Sequence, residues 1–178
     1  MDPHFLFNNL NTLTALIPVD HANAVKFTQK LSSVYRHTSQ YAHQELVTLQ
    51  QELKFIQDYF DLLSYRFGEA YRLDLEIGNI DAEGILMIPM ALQTTTENVV
   101  KHNAASKSNP LVIEISIQNE YIEVRNELRL KKVDTLHKTG LGLENLKDQY
   151  TLLTDKPMEV EKTAQYFTVK LPIIKHVQ

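Results

Sequence analysis

At Gly68 the apolar residues of this chain change their spacing from steps of three and four to steps of two. Before it, Leu6, Leu10, Leu13 and Ile17 make one helical stripe, and Ala24, Phe27, Leu31, Val34, Thr38 and Tyr41 a second. Leu49, Leu53, Ile56, Phe60, Leu63 and Phe67 make a third. After it, Leu73, Leu75 and Ile77 alternate with charged residues, as do Leu111, Ile113, Ile115 and Ile117, then Ile122 and Val124, then Phe167, Val169 and Leu171. That alternation marks half-buried strands. A stripe of period 3.6 cannot bury itself as a strand, nor an alternating run as a helix, so the chain must be α+β. The expected boundary falls near Phe67 to Arg72, giving a helical domain over 1–70 and a sandwich over 71–178.

Local signals sharpen the plan. Pro18 breaks the first helix and Asp20 is placed to cap the second. Thr48, with Gln51 three residues on, reads as a capping box at the start of the third. Asn119 and Glu120 sit where a tight turn would join two strands, and further helices are expected from Pro89 to Ala104 and from Gly142 to Thr154. In the latter, Leu143, Leu146, Tyr150 and Leu153 share a face. Helices on one side of a mixed sheet make an α+β sandwich. The three N-terminal stripes are narrow, as in coiled coils, and pairing with a second copy is the expected way to cover them; a hairpin packed on its own chain is the alternative.

The net charge of −4 offers no general attraction to phosphate backbones, which argues against direct nucleic acid binding. With no cysteine there is neither a disulfide framework nor a thiolate metal site. No apolar run reaches the roughly 18 residues that span a bilayer, so the segment reads as soluble, and Pro3 and His4 right behind the first methionine suggest a fragment of something longer.

Three polar clusters stand out against this frame. In PHFLFNNLN, Pro3 to Asn11, His4, Asn8 and Asn11 fall opposite the leucine stripe at about 100° per residue, so the imidazole is offered outward. A solvated histidine is the bland reading. In TTTENVVKHN, Thr94, Asn98, Lys101 and His102 share one helix face with Glu97 beside it, while Leu92, Thr96, Val99 and Val100 share the other. A carboxamide oxygen suits Mg²⁺, which keeps few protein ligands, and a lysine meets phosphate as a point charge. A solvated Glu97 to Lys101 pair is the competing account. Finally, a loop bearing Arg129, Lys131, Lys132 and Lys138 runs into TGLGLEN, Thr139 to Asn145, where Gly140 and Gly142 permit close approach at a helix N-terminus open to an anion.

PHFLFNNLN, IPMALQTTTENVVKHN and TGLGLENLKDQY, in that order, resemble the LytS/YehU-type sensor histidine kinases, and the resemblance covers essentially the whole chain. It implies a helical dimerisation and phosphotransfer domain followed by a Bergerat (GHKL) ATP-binding domain. It makes His4 the acceptor of the γ-phosphoryl group of ATP, with Asn8 sharing its face and Glu97 as proton acceptor. It gives Asn98 to Mg²⁺, places Lys101 and His102 near the phosphates, and assigns Lys138, Thr139, Gly140, Leu141, Gly142 and Leu143 to the nucleotide lid. The implied partners are a second copy through the N-terminal helices and the receiver domain of a response regulator. The implied location is the cytoplasmic side of an inner or plasma membrane, anchored by segments outside this sequence.

Two departures bear on that reading. Phe5 follows His4 where many histidine kinases carry an acid, as the family motif itself does. The DxGxG motif through which Bergerat domains hold adenine is absent; its nearest counterpart is Asn126, whose amide oxygen could accept from the adenine amino group. The readings that stay open are a dimeric pseudokinase scaffold with weak or no nucleotide binding and, behind it, an ATPase of the same fold without a phosphohistidine.

Overall fold

A computed structural model describes residues 3–41, 43–131 and 141–175, with the backbone alone described for Pro3, His4 and Lys175. Three helices come first: α1 (Pro3–Leu16), α2 (His21–Tyr41) and α3 (Leu49–Phe67). Asp20 caps α2, its Oδ1 accepting from the Asn23 amide at 3.0 Å. Thr48 and Gln51 form the expected reciprocal box: Thr48 Oγ1 accepts from the Gln51 amide at 3.2 Å and the Gln51 side chain accepts from the Thr48 amide at 2.9 Å.

The helical stripes do not all need a second copy. On α3, Phe55 and Leu62 pack with Phe27, Leu31 and Val34 of α2, while Ile56, Tyr59, Phe60 and Leu63 join the core of the sandwich. The third helix thus carries two apolar faces and buries the second stripe and its own inside one chain, the packing that the alternative of a hairpin against its own chain describes. Only the α1 stripe stays open, with Leu6 at 37%, Leu10 at 43% and Ile17 at 54% of full exposure. This helix is held instead by Phe5, stacked on Tyr59 at 5.4 Å between ring centroids, and by Leu13 and Leu16 against the α2–α3 cluster. Between α2 and α3, buried Asp58 accepts from Lys30 at 2.9 Å and Lys54 at 3.1 Å. Burial pushes its carboxyl up, but the two ammonium groups win and hold it below the usual range.

A single turn, Gly68–Ala70, leads into the sandwich, which comprises β2 (Tyr71–Glu76), β3 (Ile85–Met87), α4 (Ala91–His102), β4 (Leu111–Gln118), β5 (Tyr121–Glu127), α5 (Leu141–Leu153), β6 (Glu159–Lys162), β7 (Tyr166–Pro172) and β8 (Ile174–Lys175). The main sheet runs β2-β4-β5-β7-β6, with β2 and β4 parallel and the other pairs antiparallel. Asn119, at φ 56°, supplies the left-handed residue of the turn between β4 and β5. Ile113, Ile115, Ile122, Val124, Val169 and Leu171 are fully buried under the helices, each side chain contributing about 1.5–3 kcal/mol. Their alternates, among them Glu114, Glu123 and Arg125, face outward.

A second sheet of three short strands joins β1 (Val47–Thr48), β3 and β8. Val47 and Thr48, just before α3, pair with Met87 and Leu86, just before α4. Neither this sheet nor β6 was expected: two- and three-residue strands carry no period, and Glu159–Lys162 is three-quarters charged because it is an edge.

Candidate functional site

Helix α4 begins on Met90, whose φ of 65° is left-handed and whose side chain gives no cap. The missing cap comes from α3: Glu52 Oε1 accepts from the Met90 amide at 2.7 Å and Oε2 from the Leu92 amide at 3.1 Å. Glu52 is wholly buried, and burial raises its carboxyl from 4.5 to about 7 despite these backbone bonds. Along α4, Leu92, Thr95, Thr96 and Val99 are buried, while Asn98 and His102 are half-buried and Lys101 is exposed, as the faces read from sequence require. The C-terminal end is tied by Asn103, whose Nδ2 donates to the Val99 carbonyl at 3.0 Å and whose Oδ1 accepts from the Arg129 amide at 2.9 Å.

A cleft of about 400 Å³ opens on this helix, within the range of small-molecule sites. Asn98, His102 and Asn103 form one wall, Leu143, Glu144 and Lys147 of α5 another, Leu128 and Leu130 beyond β5 a third, and Val160, Lys162 and Phe167 the floor. Five of these side chains are apolar, and two are lysines. The His102 imidazole is pushed below its ordinary range by burial first, then by the charges of Lys101 and Lys131, so it is neutral in a positive surrounding.

Asn126 lies opposite Phe167 in the β5–β7 register, so it neighbours the floor. It is 1% exposed; its Nδ2 donates to the Glu127 carbonyl at 2.6 Å, and its Oδ1 is buried with no partner among the described residues. Thr96 Oγ1 on α4 is a second such oxygen. Buried acceptors without donors are costly, and a ligand amino group or an ordered water would satisfy them.

The structure brings Asn98, His102 and Leu143 to one cleft, with Asn126 next to its floor. It keeps others away. Leu141 is 60% exposed and does not line the recess, and Gly142 approaches α4 rather than the cleft: a Cβ there would lie 3.3 Å from Thr94 Cγ2, so this glycine serves helix packing. Arg129 binds Glu127 and the carbonyls of Asn109 and Pro110, and Lys131 donates to the Val100 carbonyl, so both basic residues are structural here. Glu97, half-buried, accepts from Gln93 Nε2 at 2.6 Å. Asn8 is half-buried on α1 and its carbonyl accepts from Thr12 Oγ1 at 2.9 Å. Lys132, Lys138, Thr139, Gly140 and the side chain of His4 lie outside the described residues.

A sequence model described as histidine kinase matches residues 1–71. Sensor protein LytS of Staphylococcus haemolyticus is 27% identical over 193 aligned positions, covering 99% of this chain and 33% of that protein. Sensor protein LytS of Streptococcus mutans is 30% identical over 86% of this chain and 29% of that protein, and that of Bacillus cereus 34% identical over 66% and 20%. The chain belongs to the LytS-type sensor histidine kinases. It spans about a third or less of the length of these LytS relatives. Among solved structures, the cytoplasmic segment of histidine kinase QseC aligns at 16% identity and a TM-score of 0.48, covering 74% of this chain and 78% of that one. Acinetobacter baumannii histidine kinase AdeS aligns at 16% identity and 0.46, covering 94% of each. Among the described residues, no helix of this family member is long and apolar enough to cross a membrane.

Several cleft residues escaped the reading of the sequence. Lys147 lies one helical turn past Leu143 on the same face, so the period that found Leu143 could have found it. Leu128, Leu130, Val160 and Lys162 had no signal, because strand ends and an edge strand reach the cleft only through sheet order.

Proposed function

We propose that this chain is the kinase core of a two-component sensor, binding ATP with Mg²⁺ in the α4–α5 cleft, phosphorylating His4 and passing the phosphoryl group to an aspartate of a response regulator. The observation that carries this reading is the buried Oδ1 of Asn126, without a partner among the described residues and on the strand position opposite Phe167, next to a largely apolar cleft that Asn98, His102 and Lys147 also line. An apolar cleft with a buried acceptor next to it suits a purine bearing an amino group, and with Nδ2 spent on Glu127 the side chain offers that base an acceptor alone. The donor set fits magnesium too: one neutral amide at the rim leaves most ligand positions to phosphate and water.

ATP, when bound, supplies the γ-phosphoryl group. The residues of this chain position and neutralise: Asn98 offers oxygen to the metal, Lys101, Lys147 and the lid residues Lys138, Thr139 and Gly140 meet phosphate charge, and neutral His102 adds a hydrogen bond. His4 acts through a ring nitrogen, and the Glu97 carboxylate holds the proton of the other. One contact and one electrostatic effect support that pairing: Phe5, next to His4, stacks on Tyr59, and the Tyr59 phenol is pushed well up by burial and then by the Glu97 charge. Asn8, four residues after His4 in the sequence, holds the incoming phosphate. The open stripe of Leu6, Leu10 and Ile17 supports dimerisation through α1, and the length of the relatives supports a larger protein, whose further segments would hold it at the cytoplasmic face of a membrane.

Calorimetry with Mg-ATP tests the reading, comparing the wild-type chain with Asn98→Ala. Binding that disappears in the variant, followed by transfer of label from the γ-phosphate that His4→Gln abolishes, is the expected result. A folded wild-type chain that binds nothing at millimolar ATP would leave a dimeric scaffold as the better account.

A further inference from the structure

The helix that carries Asn98 and His102 does not hold its own start. An α-helix opens with four amide donors that lack intrahelical acceptors, and at a buried start each needs a partner. Here the residue at the cap is left-handed Met90, with no side-chain bond to the helix. Two of the donors, Met90 and Leu92, reach 38 and 40 residues back to the two oxygens of Glu52. The partner is wholly buried and stands at the positive end of the helix with both oxygens accepting, and above about pH 7, where it is anionic, the arrangement is stronger than a neutral cap.

Glu52 is itself fixed. It stands one turn inside α3, behind the Thr48–Gln51 box, and Val47 and Thr48 pair with β3 immediately before α4. The start of α3 and the start of α4 are therefore bound at two points, a strand pair and a carboxylate. The same α3 packs α2 through Phe55 and Leu62. A shift of α3 against α2 has no slack to absorb it before it reaches α4.

We propose that Glu52 is a positioning residue for the nucleotide-site helix, through which the helical module sets where Asn98 and His102 stand in the cleft. The proposal rests on the reading of that cleft as the ATP site. Glu52 touches neither nucleotide nor phosphate; it acts through the backbone of α4.

Glu52→Gln is the informative variant, since it keeps the volume but turns one accepting oxygen into a donor that faces an amide. Two readouts are taken on the same chain far below its unfolding temperature: hydrogen exchange at the Met90 and Leu92 amides, and Mg-ATP affinity by calorimetry. At pH 8, where the Glu52 carboxyl is ionised, losing one charge-assisted bond should speed exchange at one of the two amides on the order of tenfold and weaken Mg-ATP binding about tenfold, with the circular dichroism spectrum unchanged. A merely structural role would lower the melting temperature and leave the affinity of the folded molecules alone. Mg-ATP affinity within about twofold of wild type in a variant with an intact wild-type comparison overturns this proposal alone. A wild-type chain that binds no Mg-ATP overturns the reading of the cleft first and this proposal with it. Wild-type Met90 and Leu92 amides that exchange as fast as an exposed loop also overturn it.

Discussion

Asn126→Val separates what the β5 terminus does for stability from what it does for a ligand. In the wild-type chain the buried Oδ1 has no donor among the described residues, a defect worth about 1–3 kcal/mol, while the Nδ2 bond to the Glu127 carbonyl returns about 1 kcal/mol. Valine removes both, suits a pleated strand, and leaves behind a carbonyl on Glu127, an exposed residue to which water has access. The net expectation is a gain of about 0–2 kcal/mol, which for a chain of this size raises the melting temperature by about 0–6 °C. Mg-ATP acts the other way round. At a hundred times its dissociation constant it should stabilise the wild-type chain by about 2.7 kcal/mol and the variant hardly at all. Thermal melts of both chains with and without Mg-ATP give all four numbers. A variant that melts several degrees lower without nucleotide would mean the oxygen is satisfied after all. A variant that keeps its nucleotide-induced shift would mean that Asn126 does not read the base.

Other outcomes follow from the same structure. Because the Glu52 carboxyl is raised from 4.5 to about 7, the folded chain holds a proton there that the unfolded chain has lost. Its contribution, about 3 kcal/mol at about 1.4 kcal/mol per unit, is complete below pH 4.5 and is lost as pH rises through about 7. Urea unfolding of wild type and Glu52→Gln from pH 4.5 to 8 should show that fall in the wild type only; parallel curves would refute the assignment. Leu10→Glu, on the open α1 stripe, should convert a dimer to a monomer by light scattering with little change in secondary structure, and a dimer that persists would move the seam elsewhere. Gly142→Ala should cost under about 1 kcal/mol and Gly142→Val about 1–3 kcal/mol, because only the second drives branches into the 3.3 Å approach to Thr94; equal unfolding midpoints would show that α4 and α5 yield there.

The architecture was legible wherever a period ran long enough to be counted. The helices from Pro3, His21 and Leu49, the capping box at Thr48 and the four longer strands all follow from spacing and caps. The small sheet was not, since Val47–Thr48 and Ile174–Lys175 are two residues each and acquire meaning only by pairing with Ile85–Met87. The site was legible where it lies on helices: Asn98, His102 and Leu143 reach one cleft because residues three or four apart share a face. Gly142 was identified for its lack of a side chain, but its close neighbour is Thr94. Glu52 gave no sign at all, because a glutamate in the first turn of a helix looks like an ordinary solvated dipole partner. Only the fold reveals that the helix it serves is a different one.

The three-stranded sheet also has a temporal meaning. Its middle strand, Ile85–Met87, takes one neighbour from residues 47–48 and the other from residues 174–175. The helices can pair through contacts close in sequence as the chain emerges, but this sheet closes only when its last strand has been synthesised, and such distant pairings form slowly. The joint that fixes α3 to α4, the β1–β3 pair and Glu52, lies within residues 47–92 and does not wait for that strand, so a ribosome-bound intermediate can hold the start of α4 in place before its small sheet is complete.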